Sequence, residues 1–220
     1  MKFKHIICDW PWWYANRLTG KNRTKFGGGA PAKYHCEKVE AAPEFKVQDL
    51  ADPAGCMLYF WVTGPHLFDA EEIITTWGFD FTTVGFTWVK TVIPKTPAEL
   101  KRRIDELGMI DTLYSVTRRM PGHYTASNAE MVLLAWRGGP LTATSMDHQT
   151  IYAPPTKHSR KPFGVHKYID RNFPGASCVE LFAVPPLYTD EHDSPNHWDY
   201  LGFDVDGEDL RTSIPRMVAK

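Results

Sequence analysis

Hydrophobic and polar positions fall along this chain in blocks that read as strands and helices in turn. Residues 3–8 form a short apolar run that stops at Asp9 and a proline, the pattern of a buried strand feeding into a loop. Residues 56–62 (CMLYFWV) are an unbroken apolar run between Pro53 and Gly64-Pro65, which predicts a central strand covered on both faces. Leu67, Phe68, Ala70, Ile73, Ile74 and Trp77 then recur at helical spacing, with Gly78 where a C-terminal cap belongs. Residues 81–89 alternate, as a strand with unequal faces does. Further strands are predicted at 131–136, 150–153 and 178–183, with a helix over 165–173 that ends at Pro174-Gly175 and a short basic helix over 99–107. Strands alternating with helices predict a doubly wound α/β fold, whose ligands bind at the carboxyl ends of the strands. Residues 16–36 and 91–124 interrupt the pattern and read as loop insertions in one domain spanning 1–220. The second is longer than most loops without a purpose, and a lid is one use for it.

Composition narrows the class. A chain of 220 residues, 43% hydrophobic, has the material for one full core. The net charge of −1 conceals an uneven distribution. Between Asp9 and Glu37 there is no acid, while Arg17, Lys21, Arg23, Lys25 and Lys33 all fall there. Between Arg171 and Arg211 there is no lysine or arginine among many acids. The cysteines Cys8, Cys36, Cys56 and Cys178 are scattered and form no C-x-x-C pair, so they read as free thiols in a reducing compartment. No signal sequence or membrane-spanning run is legible, and a cytoplasmic protein is expected.

The corner after the first strand, Asp9-Trp10-Pro11-Trp12, stands where such a sheet presents its chemistry. Its residue types suit methylation of an exocyclic adenine amine. That lone pair is delocalised into the purine and attacks poorly unless acceptors take its two hydrogens. The Asp9 carboxylate supplies one acceptor, and the Trp10 carbonyl, fixed by Pro11, supplies the other. The Trp12 indole offers a flat face to a base turned out of its stack. Asp9, read with ordinary acidity, is an acceptor first and a poor base. The competing reading makes this aromatic run a core cluster beside an incidental strand-end Asp.

The corner is one of several ordered segments that resemble the MT-A family of adenine N6-methyltransferases, typified by the seventy-kilodalton subunit of the mRNA adenosine methyltransferase, and especially its compact bacterial and phage members. The family carries Asp-Pro-Pro-Trp where this chain has Trp10 in place of the first proline. Residues 59–63 (YFWVT), 86–90 (FTWVK), 127–130 (SNAE) with 133–135 (LLA), 158–162 (HSRKP) and 180–183 (ELFA) are similar to family segments in the same order. The resemblance implies a Rossmann-like methyltransferase sheet of permuted order, with the catalytic strand before the cofactor strand and residues 179–183 beside residues 3–9.

The resemblance also assigns roles. S-adenosylmethionine is the implied cofactor, with Lys161 meeting its carboxylate, Asp9 touching its amine, and His158, Ser159, Glu180, Leu181 and Phe182 around it. Phe203 and Asp204 match a family pair that brackets the cofactor's adenosine, although the family has Asn and Gln or Glu there. Val184 stands where the family commonly has Arg. Around the substrate base the resemblance places Trp12, Tyr34, Trp88, Lys90 and Glu130. The implied reaction is direct methyl transfer to adenine N6 in DNA, with RNA as the alternative polymer. A catalytically silent nucleic-acid-binding subunit and a methyltransferase of free nucleotides are the rival classes. The basic residues of 17–33, with Lys95, Lys101, Arg102, Arg103, Arg118 and Arg119, are candidates for phosphate contacts. Homo-oligomerisation stays open. No phosphate-binding loop spacing and no four-ligand metal set occur. A cytosine C5 mechanism lacks its usual Pro-Cys.

Overall fold

The computed structural model describes residues 1–13, 36–92, 96–118, 124–155 and 160–220. The strands are β1 (His5–Cys8), β2 (Cys56–Val62), β3 (Asp80–Lys90), β4 (Ala129–Arg137), β5 (Thr150–Ala153), β6 (Ser177–Leu181) and β7 (His197–Leu201). They form a 7-stranded sheet in the order β5-β3-β4-β2-β1-β6-β7. β1 lies parallel between β2 and β6, β7 is parallel to β6, and β5 is parallel to β3. β4 runs against both its neighbours, β2 and β3. The carboxyl ends of all the other strands therefore share one rim with the amino end of β4. The expected pairing of residues 179–183 with the first strand is present, with Val179 opposite Ile6 and Leu181 opposite Cys8.

The helices are α1 (Ala42–Phe45), α2 (Leu67–Thr76), α3 (Pro97–Ser115), α4 (Gly164–Asn172), α5 (Tyr188–Glu191), α6 (Phe203–Asp206) and α7 (Leu210–Val218). Successive strand side chains point to opposite faces, and two cores result. Ile6, Cys8, Leu58, Phe60, Val179 and Leu181 face a cluster closed by Phe45 of α1, Ile73 of α2 and Ile214 of α7. Ile7, Tyr59, Trp61 and Cys178 face the other, closed by Val165 and Ile169 of α4. With both faces of the sheet covered, the fold is the α/β class that the alternating pattern predicts. Each fully buried aliphatic or aromatic side chain contributes about 1.5–3 kcal/mol to holding these layers together.

Apart from the one-turn helices α1, α5 and α6, three elements differ from the sequence-based expectation. The basic helix continues to Ser115 across a break at Gly108, whose φ of 79° a residue without a Cβ adopts freely. Its cations do not form an open stripe: Lys101 pairs with Asp105, Arg102 with Glu106 and Arg103 with Glu99, each one turn away. That weakens the expected phosphate grip of these three residues, since each cation already has an anion beside it. β7 and α7 were not predicted at all. α7 starts because the Asp209 side chain accepts from the Arg211 N–H at 2.8 Å, and it stays because Leu210, Ile214 and Met217 line one buried stripe. The cationic segment 17–33, together with Lys95 and Arg119, lies outside the described residues.

Candidate active site

The rim gathers the expected chemistry from four separate stretches of chain. Asp9 follows the last residue of β1, Lys90 ends β3, Glu130 is the second residue of β4, and Lys161 lies between β5 and α4. The antiparallel run of β4 makes this meeting work, because Trp88 and Glu130 are register partners. Lys161 Nζ stands 2.8 Å from Asp9 and 3.2 Å from Glu130, and Lys90 Nζ stands 2.5 Å from the other oxygen of Glu130. Asp9, Lys161, Glu130 and Lys90 thus form one chain of alternating charge, all largely buried. Both ammonium groups also lie over indoles, Lys161 over Trp61 and Lys90 over Trp88.

The two carboxylates differ in proton affinity. Burial pushes the Asp9 carboxyl up to about 6; Lys161 pulls it back, while Glu130 and Glu180 push it further. The expectation of ordinary acidity is thereby corrected. Burial also works against ionised Glu130, but Lys161 and Lys90 outweigh it and hold Glu130 below the usual value. Burial alone would lower Lys161, and its two carboxylate partners instead raise it, so it stays charged. The chain at neutral pH carries two anions and two cations.

A narrow cleft opens beside Asp9, lined by Arg160, Lys161, Phe163, Glu180, Phe182 and Val184. Glu180 is held by His166 Nε2 at 3.0 Å from α4, and Arg160 pairs with Glu191 at 3.0 Å over the Phe163 ring. Phe182 enters the cleft because the chain turns sharply after β6, with Phe182 at φ 57°. Gly202 permits that turn: a Cβ there would stand 2.9 Å from the Ala183 nitrogen and 3.1 Å from Phe182 Cα. Arg160 and Phe163 were missed in the sequence reading, although they flank Lys161 in the HSRKP segment and its continuation.

Other expected residues stand elsewhere. Leu181 is fully buried in the core and offers the cleft no side chain. Phe203 and Asp204 are exposed at the start of α6, outside the lining of the cleft. Trp88 is 3% exposed and donates to the Ala153 carbonyl at 2.8 Å, so it backs Lys90 instead of presenting a face. Trp12 is 5% exposed and stacked on His66, with ring centroids 4.5 Å apart and planes 10° from parallel. The open indole of this segment is Trp13, 44% exposed. The Trp10 ring is core, wedged against Phe45, Trp77 and Phe182, and the Trp10 carbonyl accepts the Trp12 N–H at 2.8 Å across Pro11. One lone pair of that carbonyl remains for a second donor. Tyr34, His158 and Ser159 lie outside the described residues.

A family model, MT-A70, matches residues 3–194. The chain belongs to the MT-A70 family. Among curated relatives, this MT-A70 member is 28% identical to the type II methyltransferase M.MunI of a Mycoplasma species over 196 residues, 83% of this chain and 72% of that protein. It is 28% identical over 164 residues to the N(6)-adenosine-methyltransferase subunit METTL3 of Danio rerio, and 27% identical to the N(6)-adenosine-methyltransferase catalytic subunit METTL3 of Homo sapiens. The chain spans 24% of each METTL3 protein, so the likeness there concerns one part of a longer chain. Among the described residues, no group of His, Cys, Asp and Glu is placed to hold a metal ion, and no helix is long and apolar enough to cross a membrane.

Proposed function

We propose that this MT-A70 member is an S-adenosylmethionine-dependent methyltransferase that acts on adenine N6 in nucleic acid, with DNA as the polymer, working as a single domain in the cytoplasm. The observation that carries the reading is the Asp9 carboxylate at the carboxyl rim of β1, tied at 2.8 Å to Lys161 at the mouth of a half-apolar cleft. Relatives named as N(6)-adenosine methyltransferases support the atom methylated. The relative spanned over 72% of its length is a type II methyltransferase, which supports DNA. The same METTL3 relatives give RNA its standing as the second substrate.

The residues at the cleft fit the amino acid end of such a cofactor. Lys161 and Arg160 offer cations to a carboxylate, Asp9 and Glu180 offer anions to an ammonium, and Phe163, Phe182 and Val184 supply apolar wall. Bound there, S-adenosylmethionine would supply an electrophilic methyl group on a sulfonium sulfur. Asp9 accepts one N6 hydrogen and the Trp10 carbonyl accepts the second through its remaining lone pair, which localises the nitrogen lone pair for attack. Above pH 6 Asp9 is ionised and an acceptor; with its proton affinity raised, it is also suited to take the proton that N6 sheds once methylated. Glu130, held anionic between two lysines, keeps Lys161 from neutralising Asp9 completely. The intact Asp9–Lys161 pair argues against a silent binding subunit.

Radiolabelled methyl transfer to matched single- and double-stranded DNA and RNA oligonucleotides, followed by nucleoside analysis, tests the proposal. Label in N6-methyldeoxyadenosine is expected. Label confined to N6-methyladenosine would move the substrate to RNA, and label in no adenine derivative would end the reading.

A further inference from the structure

The corner that carries Asp9 is held from outside by a residue beyond the span of the family match. Residues 11–13 make a one-residue parallel bridge to Glu37: the Glu37 N–H donates to the Pro11 carbonyl at 2.7 Å, and the Trp13 N–H donates to the Glu37 carbonyl at 3.2 Å. The Glu37 carboxylate is buried and receives Arg211 Nη1 at 3.0 Å. Arg211 reaches it from the first turn of α7, where its own N–H is held by Asp209 and its Nε donates to Glu44 at 2.6 Å. The guanidinium lies 4.2 Å above the Phe45 ring, and Phe45 meets the Trp10 ring edge-on at 5.1 Å. One side chain therefore touches both supports of the corner, the backbone clamp at residues 11–13 and the packing of Trp10.

We propose that Arg211 is a positioning residue for methyl transfer: through Glu37 and Phe45 it fixes where the Asp9 carboxylate and the Trp10 carbonyl stand, without itself reaching the cleft. This rests on the adenine-methylation reading. Only a fork with several donors serves Glu37, Glu44 and the ring face together, so lysine is a poor substitute. A small displacement of two acceptors aimed at one nitrogen costs rate far more than binding.

The test compares wild type with Arg211→Met, which keeps the stem over Phe45 and removes the fork, with Arg211→Lys, and with Glu37→Gln. Arg216→Met, whose partners Asp206 and Glu208 lie at the end of α6 and in the link from it to α7, is the control. Two readouts are taken well below each variant's melting temperature. Amide hydrogen exchange of Trp13 and Glu37 reports the clamp, and single-turnover transfer with cofactor titration reports the chemistry. Arg211→Met is expected to speed exchange at both amides and to lower the transfer rate roughly tenfold to hundredfold, with cofactor affinity kept within about twofold. Adding Glu37→Gln should bring little further loss, and Arg216→Met should match wild type. Unchanged exchange, or a rate equal to wild type, overturns the proposal. Inactivity of wild type on adenine, with exchange still responding to Arg211→Met, removes the substrate reading and the rate claim while leaving the clamp itself demonstrated.

Discussion

The corner after β1 and the hairpin edge of β3 and β4 each bring a carboxylate to the same lysine, yet they treat it differently. Asp9 has one cation beside it and is pushed up to about 6 by burial, while Glu130 has two and is held low. The first is a group whose charge is in play near neutrality; the second is a fixed anion. A site that must accept and then release a proton needs the first kind, and a site that must keep an ammonium in place needs the second.

The comparison breaks most severely if Asp9 is made neutral for good. Asp9→Asn keeps shape but not charge, and about a thousandfold loss in transfer rate is expected, with cofactor binding still measurable by calorimetry. Full activity in that variant would remove Asp9 from the chemistry. Lys161→Met leaves two buried carboxylates facing each other without their shared cation. Urea unfolding at pH 8 should show a loss of about 3 kcal/mol, shrinking toward pH 5 as Asp9 takes up a proton. An equal loss at both values would contradict the assigned coupling.

The pH dependence sharpens the contrast. Because Asp9 is raised from 3.8 to about 6 in the folded protein, its contribution to stability is fully present below pH 3.8 and is lost as pH rises through 6. Wild type should therefore lose stability across that window relative to Asp9→Asn, on the order of 3 kcal/mol, as read from paired unfolding curves. The rate should run the opposite way, falling as pH drops through about 6. Glu130→Gln removes a charge that pushes Asp9 up, so the acid limb of the rate profile should move to lower pH, by about one unit or less. An acid limb that stays in place would show that Glu130 does not influence Asp9.

Much of this arrangement was legible in the residues. β2 was read from its apolar run because a strand covered on both faces tolerates no polar interruption, and the pairs within α3 stand at four-residue spacing for anyone who looks for them. Asp9, Lys161 and Glu130 were each named, but their contact was not, since Asp9 lies more than a hundred residues from either partner and sequence spacing says nothing about a shared cation. Trp12 misled for a physical reason: in an aromatic run such as Trp10-Pro11-Trp12-Trp13, each ring has the same chemistry, and only packing decides which one lies against His66 and which meets solvent. β7 hid in an acidic stretch because an edge strand needs few apolar residues. α7 hid because Pro215 sits inside it.

The reversed strand also decides where the stretch between β3 and β4 is anchored. β3 reaches the rim and β4 sets out from it side by side, with Val89 paired to Ala129 and the Lys90 N–H donating to the Asn128 carbonyl at 2.8 Å. Arg118, within the stretch that joins them, donates its N–H to the Lys90 carbonyl at 2.7 Å, so that stretch is tethered to the strand end that carries part of the charged quartet. Exchange of that stretch would therefore pull first on Lys90 and, through its contact with Glu130, on the quartet itself.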